Sequence, residues 1–442
     1  MSRAPIPNAI ARLLRALPID TPAFGAIRRR HFVYLLLQQF AALAATFAIS
    51  FASLAKVVEV TSSGMQTAFT ILSVVVPGLL FGLVGGVTVD RVSRRTMLIV
   101  TNLVRGLIAM AAPLYLGLAP VEVVVPIVLA VNFILSAVGQ FNFPAEAALI
   151  PYLVTSEELL AANSLFNVSY LAAIGFGSAL WGPLSVRLLG AEWSYFGSGV
   201  LYMLSLIPLY RLAKDAPPRE RAVRPSRYAR LRHVASVVAD AKEGVVFAAG
   251  NTPVGVAILA LASQSALALG LVAVFPVVMS NRFGIPVYDQ PLLVLPAVVG
   301  AGLGLMVLIS PKGGRQPRSR LVVGGNALIA AGLTVMTVAL SPIDWGVPGL
   351  LVAFAIIGAG FVLAYISGKS VLQEEPPDYL RGRVISLQLT LNNLVSMVPT
   401  VLAGWGLDAW GPLAVFGGFT AAFALVTGFT GYLVHRARPE YE

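Results

Sequence analysis

The chain has 442 residues, of which 57% are hydrophobic and only 12% charged, with a mean hydropathy of +0.83. A soluble protein of this size keeps roughly a quarter of its residues charged, so half that density, with apolar residues gathered into long runs, makes lipid the main solvent. There is no cysteine, and His31, His233 and His435 lie far apart beside arginines, which argues against disulfides, thiol chemistry, a metal centre or a bound cofactor. The net charge of +11 does not read as a nucleic-acid footprint, because the basic residues fall in the gaps between apolar runs.

Residues 1–31 lack the apolar core of a cleaved signal peptide. Within them, residues 9–17 read as a short basic amphipathic segment on the membrane surface, with a transit peptide as the alternative. About 20 helical residues cross the hydrocarbon of a bilayer. The apolar runs predict spans at 32–57, 65–89, 96–118, 121–146, 159–188 and 191–212, then 253–280, 291–310, 320–341, 347–372, 384–408 and 412–435. The pattern is therefore an all-α polytopic membrane protein of twelve spans: a six-helix bundle over 32–212, a linker over 213–252, and a second bundle with a short tail over 253–442. The linker opens on Lys214-Asp215-Ala216-Pro217-Pro218, which cannot bury an apolar face. Further on, Tyr228, Leu231, Val234, Val238, Ala241 and Val245 recur at helical spacing, predicting either an amphipathic surface helix or a plain helical linker.

An even number of spans puts both termini on one side. The Lys/Arg rule makes that side, and the linker, cytoplasmic; Lys56, Arg105, Arg187 and Arg282 are the exceptions. The localisation expected is the plasma (inner) membrane. The halves also look like copies. Span 2 carries Gly78, Gly82 and Gly86, span 8 carries Gly300 and Gly304, and a short basic loop follows each. Small residues four apart predict close helix approach, and parallel six-helix repeats are a recurring plan for secondary transporters.

Between spans 2 and 3 the chain reads Gly86-Val87-Thr88-Val89-Asp90-Arg91-Val92-Ser93-Arg94-Arg95. This resembles the loop 2–3 signature of the major facilitator superfamily, with Ser93 in place of the usual glycine. The resemblance implies a reversible charge network of Asp90, Arg91, Arg94 and Arg95 that opens and closes as the halves rock; the alternative is that these charges only fix topology. Pro144-Ala145-Glu146-Ala147-Ala148-Leu149-Ile150-Pro151, Leu159-Leu160-Ala161-Ala162-Asn163-Ser164, Glu243-Gly244 and Arg381-Gly382-Arg383 are similar to the macrolide-efflux and enterobactin-exporter-like branch, and Arg381 and Arg383 join the gating set by the same resemblance. That branch implies export of amphipathic small molecules. Gly182-Pro183 matches part of the glycine-rich span 5 motif of drug antiporters and is given a structural role, but Ser178, Val186 and Arg187 depart from that motif.

A polar side chain in hydrocarbon faces the protein interior or a cavity. In this superfamily spans 1, 4, 7 and 10 line the cavity, which makes Gln38, Asn132, Gln140, Gln264 and Tyr365 substrate-pathway candidates, with Asn167 and Asn392 added by spans 5 and 11. Any one of these amides could instead tie helices together. Arg105, about nine residues into span 3, should find Glu146, Gln140 or backbone carbonyls and act as a structural tie. Glu146 is the acidic residue placed to carry a proton; its alternative is an interfacial residue at a helix end. The leading expectation is a monomeric secondary transporter, not an enzyme, that exports a hydrophobic or amphipathic small molecule by alternating access, contacts membrane lipids and exchanges protons. A lysophospholipid-type lipid transporter, an uncoupled facilitator, and a receptor or assembly factor on a transporter scaffold are the alternatives.

Overall fold

The computed structural model describes residues 22–89, 92–212, 243–342 and 345–437, and among them every regular element is helical. The predicted segment 9–17, Asp90, Arg91 and the linker residues 213–242 lie outside the described residues. After a short helix, Pro22–Arg28, come α1 (Arg30–Thr61), α2 (Gly64–Val89), α3 (Arg94–Met110, continued by Ala112–Gly117) and α4 (Val121–Gly139, continued by Asn142–Leu153). Next are α5 (Leu159–Gly175, then Phe176–Trp181 and Gly182–Leu189) and α6 (Ala191–Arg211). The second series is α7 (Thr252–Phe283), α8 (Pro291–Ile309), α9 (Arg318–Ala339) and α10 (Gly346–Glu374), followed by the run Asp378–Arg436. That run divides at Gly411, whose φ of 80° and ψ of 176° are not helical, into α11 (378–410) and α12 (412–436). These are the twelve spans of the sequence pattern.

Local chemistry sets the boundaries. Ser93 caps α3 by accepting the Thr96 amide, and Asn251 caps α7 by accepting the Val254 amide at 3.0 Å. Gly284, at φ 63°, ends α7 in the left-handed region that a side chain would resist. In α5 the Phe176–Trp181 stretch is a π-helix, and the Gly182 amide reaches back to the Gly177 carbonyl. Pro183 follows directly; it has no amide of its own and its ring would clash with the carbonyl four residues earlier, so the wider turn relieves both problems. Gly182 and Pro183 are buried there, and a Cβ on Gly182 would stand 2.9 Å from that of Phe51.

The chain forms two compact units, Met1–Ser53 with Ser73–Val223 and Leu54–Leu72 with Arg224–Glu442. In the first, Phe32 and Leu35 of α1, Leu98 of α3, Leu149 and Ile150 of α4, Phe166 of α5 and Leu209 of α6 share one core. In the second, α8 and α9 both pack on α10 through glycine. A Cβ on Gly300 would overlap the Ala355 carbonyl oxygen, and one on Gly325 would stand 2.6 Å from that of Gly360. Of the α2 glycines expected to do the same, the two that are described do not: Gly82 has no neighbour within 4 Å among the described residues, and Gly78 meets only the Gln140 side chain, at 3.7 Å. Close approach in that helix falls to Gly85, whose Cβ would stand 2.5 Å from the Gln140 carbonyl oxygen.

The end of α1 and the start of α2 belong to the second unit, where Gly64 packs on Gly404 of α11 and Asp408 of the same helix caps α2. Its Oδ1 accepts the Gly64 amide at 2.7 Å, and its Oδ2 accepts the Met65 amide at 3.0 Å and the Ser63 hydroxyl at 2.6 Å. A carboxylate on free amides at a positive helix end is favourable twice, through hydrogen bonds and through the dipole. Replacing Asp408 with Ala removes a cap of about 1–2 kcal/mol, which should lower the melting temperature of the purified protein by roughly 1–2 °C. An unchanged melting curve would show that the cap contributes nothing.

Candidate functional site

The polar groups of the first unit form one buried chain of hydrogen bonds. Gln38 of α1 donates to Glu146 Oε1 at 2.7 Å, and its own oxygen accepts from Asn102 of α3 at 3.3 Å. Asn102 also donates to Ser205 of α6 at 3.0 Å. Its oxygen takes the Arg105 Nη2 at 2.6 Å and the Asn142 amide at 2.8 Å. Arg105 continues to the Thr46 hydroxyl at 3.5 Å and lies 4.6 Å over the Tyr202 ring, whose hydroxyl meets Thr46 at 2.8 Å. Gln38 and Asn102 are wholly buried, Glu146 is 3% exposed and Arg105 4%. Burying a charge is expensive unless it is hydrogen-bonded and balanced. Here a carboxylate and a guanidinium share the interior, each held by amides and separated by Gln38 and Asn102.

This corrects the partners expected for Arg105. It meets neither Glu146 nor Gln140 directly but uses Asn102, Thr46 and Tyr202. Gln140, at the break in α4, donates to the Ser136 carbonyl at 3.3 Å. Asn132 is buried and accepts from Ser53 at 2.8 Å, and Ser53 also bonds the Tyr195 hydroxyl. Asn167 is exposed, its amide turned back on the Asn163 carbonyl at 2.9 Å. Asn102 and Asn142 were missed by the sequence reading, although a signal was present: they stand three residues before Arg105 and four before Glu146, on the same helix faces.

In the second unit, Lys369 of α10 donates to Gln388 of α11 at 2.7 Å and lies 5.9 Å from the Tyr365 ring, which stacks on Phe361 with centroids 5.8 Å apart. Tyr365 is 42% exposed, and Asn392, one turn beyond Gln388, is half-buried. An aromatic pair, a cation and two amides thus sit on neighbouring faces of α10 and α11. Gln264 differs: it is buried and bonds Asn326 of α9 at 3.3 Å, a tie within the helix packing.

The remaining charged candidates hold chain ends. Arg95 donates to the Leu209 and Tyr210 carbonyls, each at 2.8 Å, neutralising the C-terminus of α6, and Arg94 stacks on Tyr152 at 4.8 Å. Arg381 pairs with Asp378 at 2.9 Å, and Arg383 pairs with Glu243. Gly86 falls within α2, but its surroundings, like Asp90 and Arg91, lie outside the described residues. Before α5, the Thr155 amide and then Arg29, 3.3 Å away, hold the Glu158 carboxyl below the usual carboxylate range and so fasten the Pro22–Arg28 helix.

Two units of membrane-spanning helices, one of them with buried ionisable groups, are the frame of a transporter. The sequence model of the Major Facilitator Superfamily matches residues 32–400, and the chain belongs to that superfamily of membrane transporters. Among characterised relatives, the multidrug efflux pump Tap of Mycolicibacterium fortuitum is 26% identical over 379 residues, which cover 81% of this chain and 85% of that protein. Solved structures with the same fold include the inward-open xylose transporter XylE from E. coli, with 16% identity and a TM-score of 0.62 over 91% of this chain and 96% of that one. A POT family transporter in complex with 5-aminolevulinic acid reaches a TM-score of 0.66 at 12% identity, over 93% and 96%. At such identities the solved structures speak for the fold alone.

Proposed function

We propose that the chain is a proton-coupled exporter of amphipathic small molecules that works by alternating access, with both termini and residues 213–252 on the cytoplasmic side. The observation that carries the coupling is Glu146, a carboxylate buried in a membrane-spanning bundle and hydrogen-bonded to a neutral amide, with its counter-charge Arg105 two amides away. Such a group can take up and release a proton as access alternates. The Phe361–Tyr365 stack beside Lys369, Gln388 and Asn392 suits a compound with a flat apolar body and a few hydrogen-bonding groups. The relative that pumps several drugs supports the direction, and the arginine bias supports the orientation.

The gating part of this reading rests on the loop signature. Asp90→Asn keeps the side chain's shape and removes its charge. A change of about 1.4 kcal/mol in the balance of open and closed states shifts it tenfold. Flux of a fluorescent amphipathic dye through proteoliposomes should therefore fall about tenfold while yield and melting temperature hold. Wild-type flux in a folded Asp90→Asn protein would leave Asp90 a topological charge only, and absence of flux in the wild type across a panel of dyes would remove the exporter reading.

A further inference from the structure

The second unit contains a cavity of 550 Å³ between α7, α11 and α12. Leu259 and Ser263 of α7, Leu391 and Val395 of α11, and Phe419 and Phe423 of α12 form its walls. Ser263 is the polar side chain among those lining it, and its hydroxyl is already committed to the Ala260 carbonyl at 2.8 Å. Phe419 of the wall packs on Gly270 of α7, where a Cβ would stand 2.7 Å from its Cζ.

The cavity is open on one side, with Val245, Val395 and Ala422 of its walls exposed. Water is a poor occupant, because these walls offer it almost no polar partner. The cavity lies among membrane-spanning helices whose solvent is hydrocarbon. The occupant that suits apolar walls open to that solvent is an alkyl chain. Val245 and Leu387 lie at the other end, and just beyond them stand the Arg383–Glu243 pair and the Arg381–Asp378 pair. In the topology given under Proposed function, on which this step rests, that end faces the cytoplasm, so the two ion pairs lie at headgroup depth.

We propose that this cavity is a lipid site, holding one acyl chain of a membrane phospholipid with its headgroup beside Arg383 and Glu243. Among the described residues the two arginines and two carboxylates sum to zero charge, so the site takes a zwitterionic headgroup as readily as an anionic one.

The test is native mass spectrometry of the purified full chain, delipidated in detergent and titrated with phosphatidylcholine or phosphatidylglycerol. The wild type should bind one phospholipid of either kind at least about tenfold more tightly than the next. Ser263→Phe, which fills the cavity from α7, should abolish that first step. Ala422→Phe, which fills it from α12, should do the same, so one variant that fails to fold leaves the other to decide. Unchanged lipid binding in a folded variant overturns the proposal, as does tight binding of phosphatidylglycerol alone. Dye flux that disappears in both variants with the first lipid still bound would assign the cavity to the transported compound and overturn it too. The titration needs no transport, so a wild type without flux would sink the exporter reading and leave this measurement standing.

Discussion

Proteoliposomes carrying Glu146→Gln should move dye down its gradient at near the wild-type rate, yet show no response to an imposed pH gradient. For one proton exchanged per substrate, each pH unit is worth about 1.4 kcal/mol, or tenfold in accumulation. The wild type should thus gain about tenfold per unit and the variant nothing. Glutamine keeps the volume and can still accept from Gln38, so the buried chain through Asn102 to Arg105 remains assembled while the titrating atom is gone. The comparison with Asp90→Asn is informative, since that variant should be slow under every gradient and still respond to it. Uphill transport that survives in Glu146→Gln removes Glu146 from the coupling. A wild type indifferent to the gradient points instead to a facilitator or another driving ion.

The spans were legible because a bilayer fixes their length, and a run of about 20 apolar residues has few other uses. Even the division of the Asp378–Arg436 run was readable, since Gly411 precedes Pro412 between two apolar stretches. The break in α4 was not. Its signal is Pro144, whose ring clashes with the carbonyl four residues earlier, that of Gln140, and which the apolar run conceals; a contact from another helix, Gly85 against the Gln140 backbone, falls at the same place. Glycine spacing had the same limit. Gly78 and Gly82 follow the same four-residue rule as Gly300 and Gly304, but only the α8 pair meets a backbone. Spacing shows that approach is possible, and the partner decides whether it happens.

The polar residues were found more readily than their roles. A glutamine in an apolar run announces that it avoids lipid, not whether it faces a cavity or a neighbouring helix. Gln38 and Gln264 turned out to be wholly internal, whereas Tyr365 and Lys369 are partly open. Arg105 does need partners, but its acceptors and the aromatic ring against it come from α1 and α6 as well as its own helix. Those are tertiary facts that one helix's sequence does not contain.

Gly300→Leu should be the most damaging single substitution in the second unit. The seam between α8 and α10 alternates in both directions: a Cβ on Gly300 would overlap the Ala355 carbonyl oxygen, a Cβ on Gly358 would overlap that of Ala297, and a Cβ on Gly304 would stand 2.5 Å from that of Ala359. Three such contacts on two helices mean that neither can retreat from one without losing the others. In lipid there is no hydrophobic gain to compensate, because the tails are as apolar as leucine, so the lost close packing is a direct loss. Overpacking of this kind costs about 3 kcal/mol, and the expected fall in melting temperature for a chain of this length is roughly 3 °C. The control is Gly302→Leu on the same helix, where no atom lies within 4 Å among the described residues. Its yield and melting temperature should match the wild type, since the two variants add the same side chain at the same depth and differ only in what it meets. Equal losses in both would mean that glycine is needed in α8 for a backbone reason, and equal tolerance would mean that the α8–α10 seam is looser than its carbonyl contacts require.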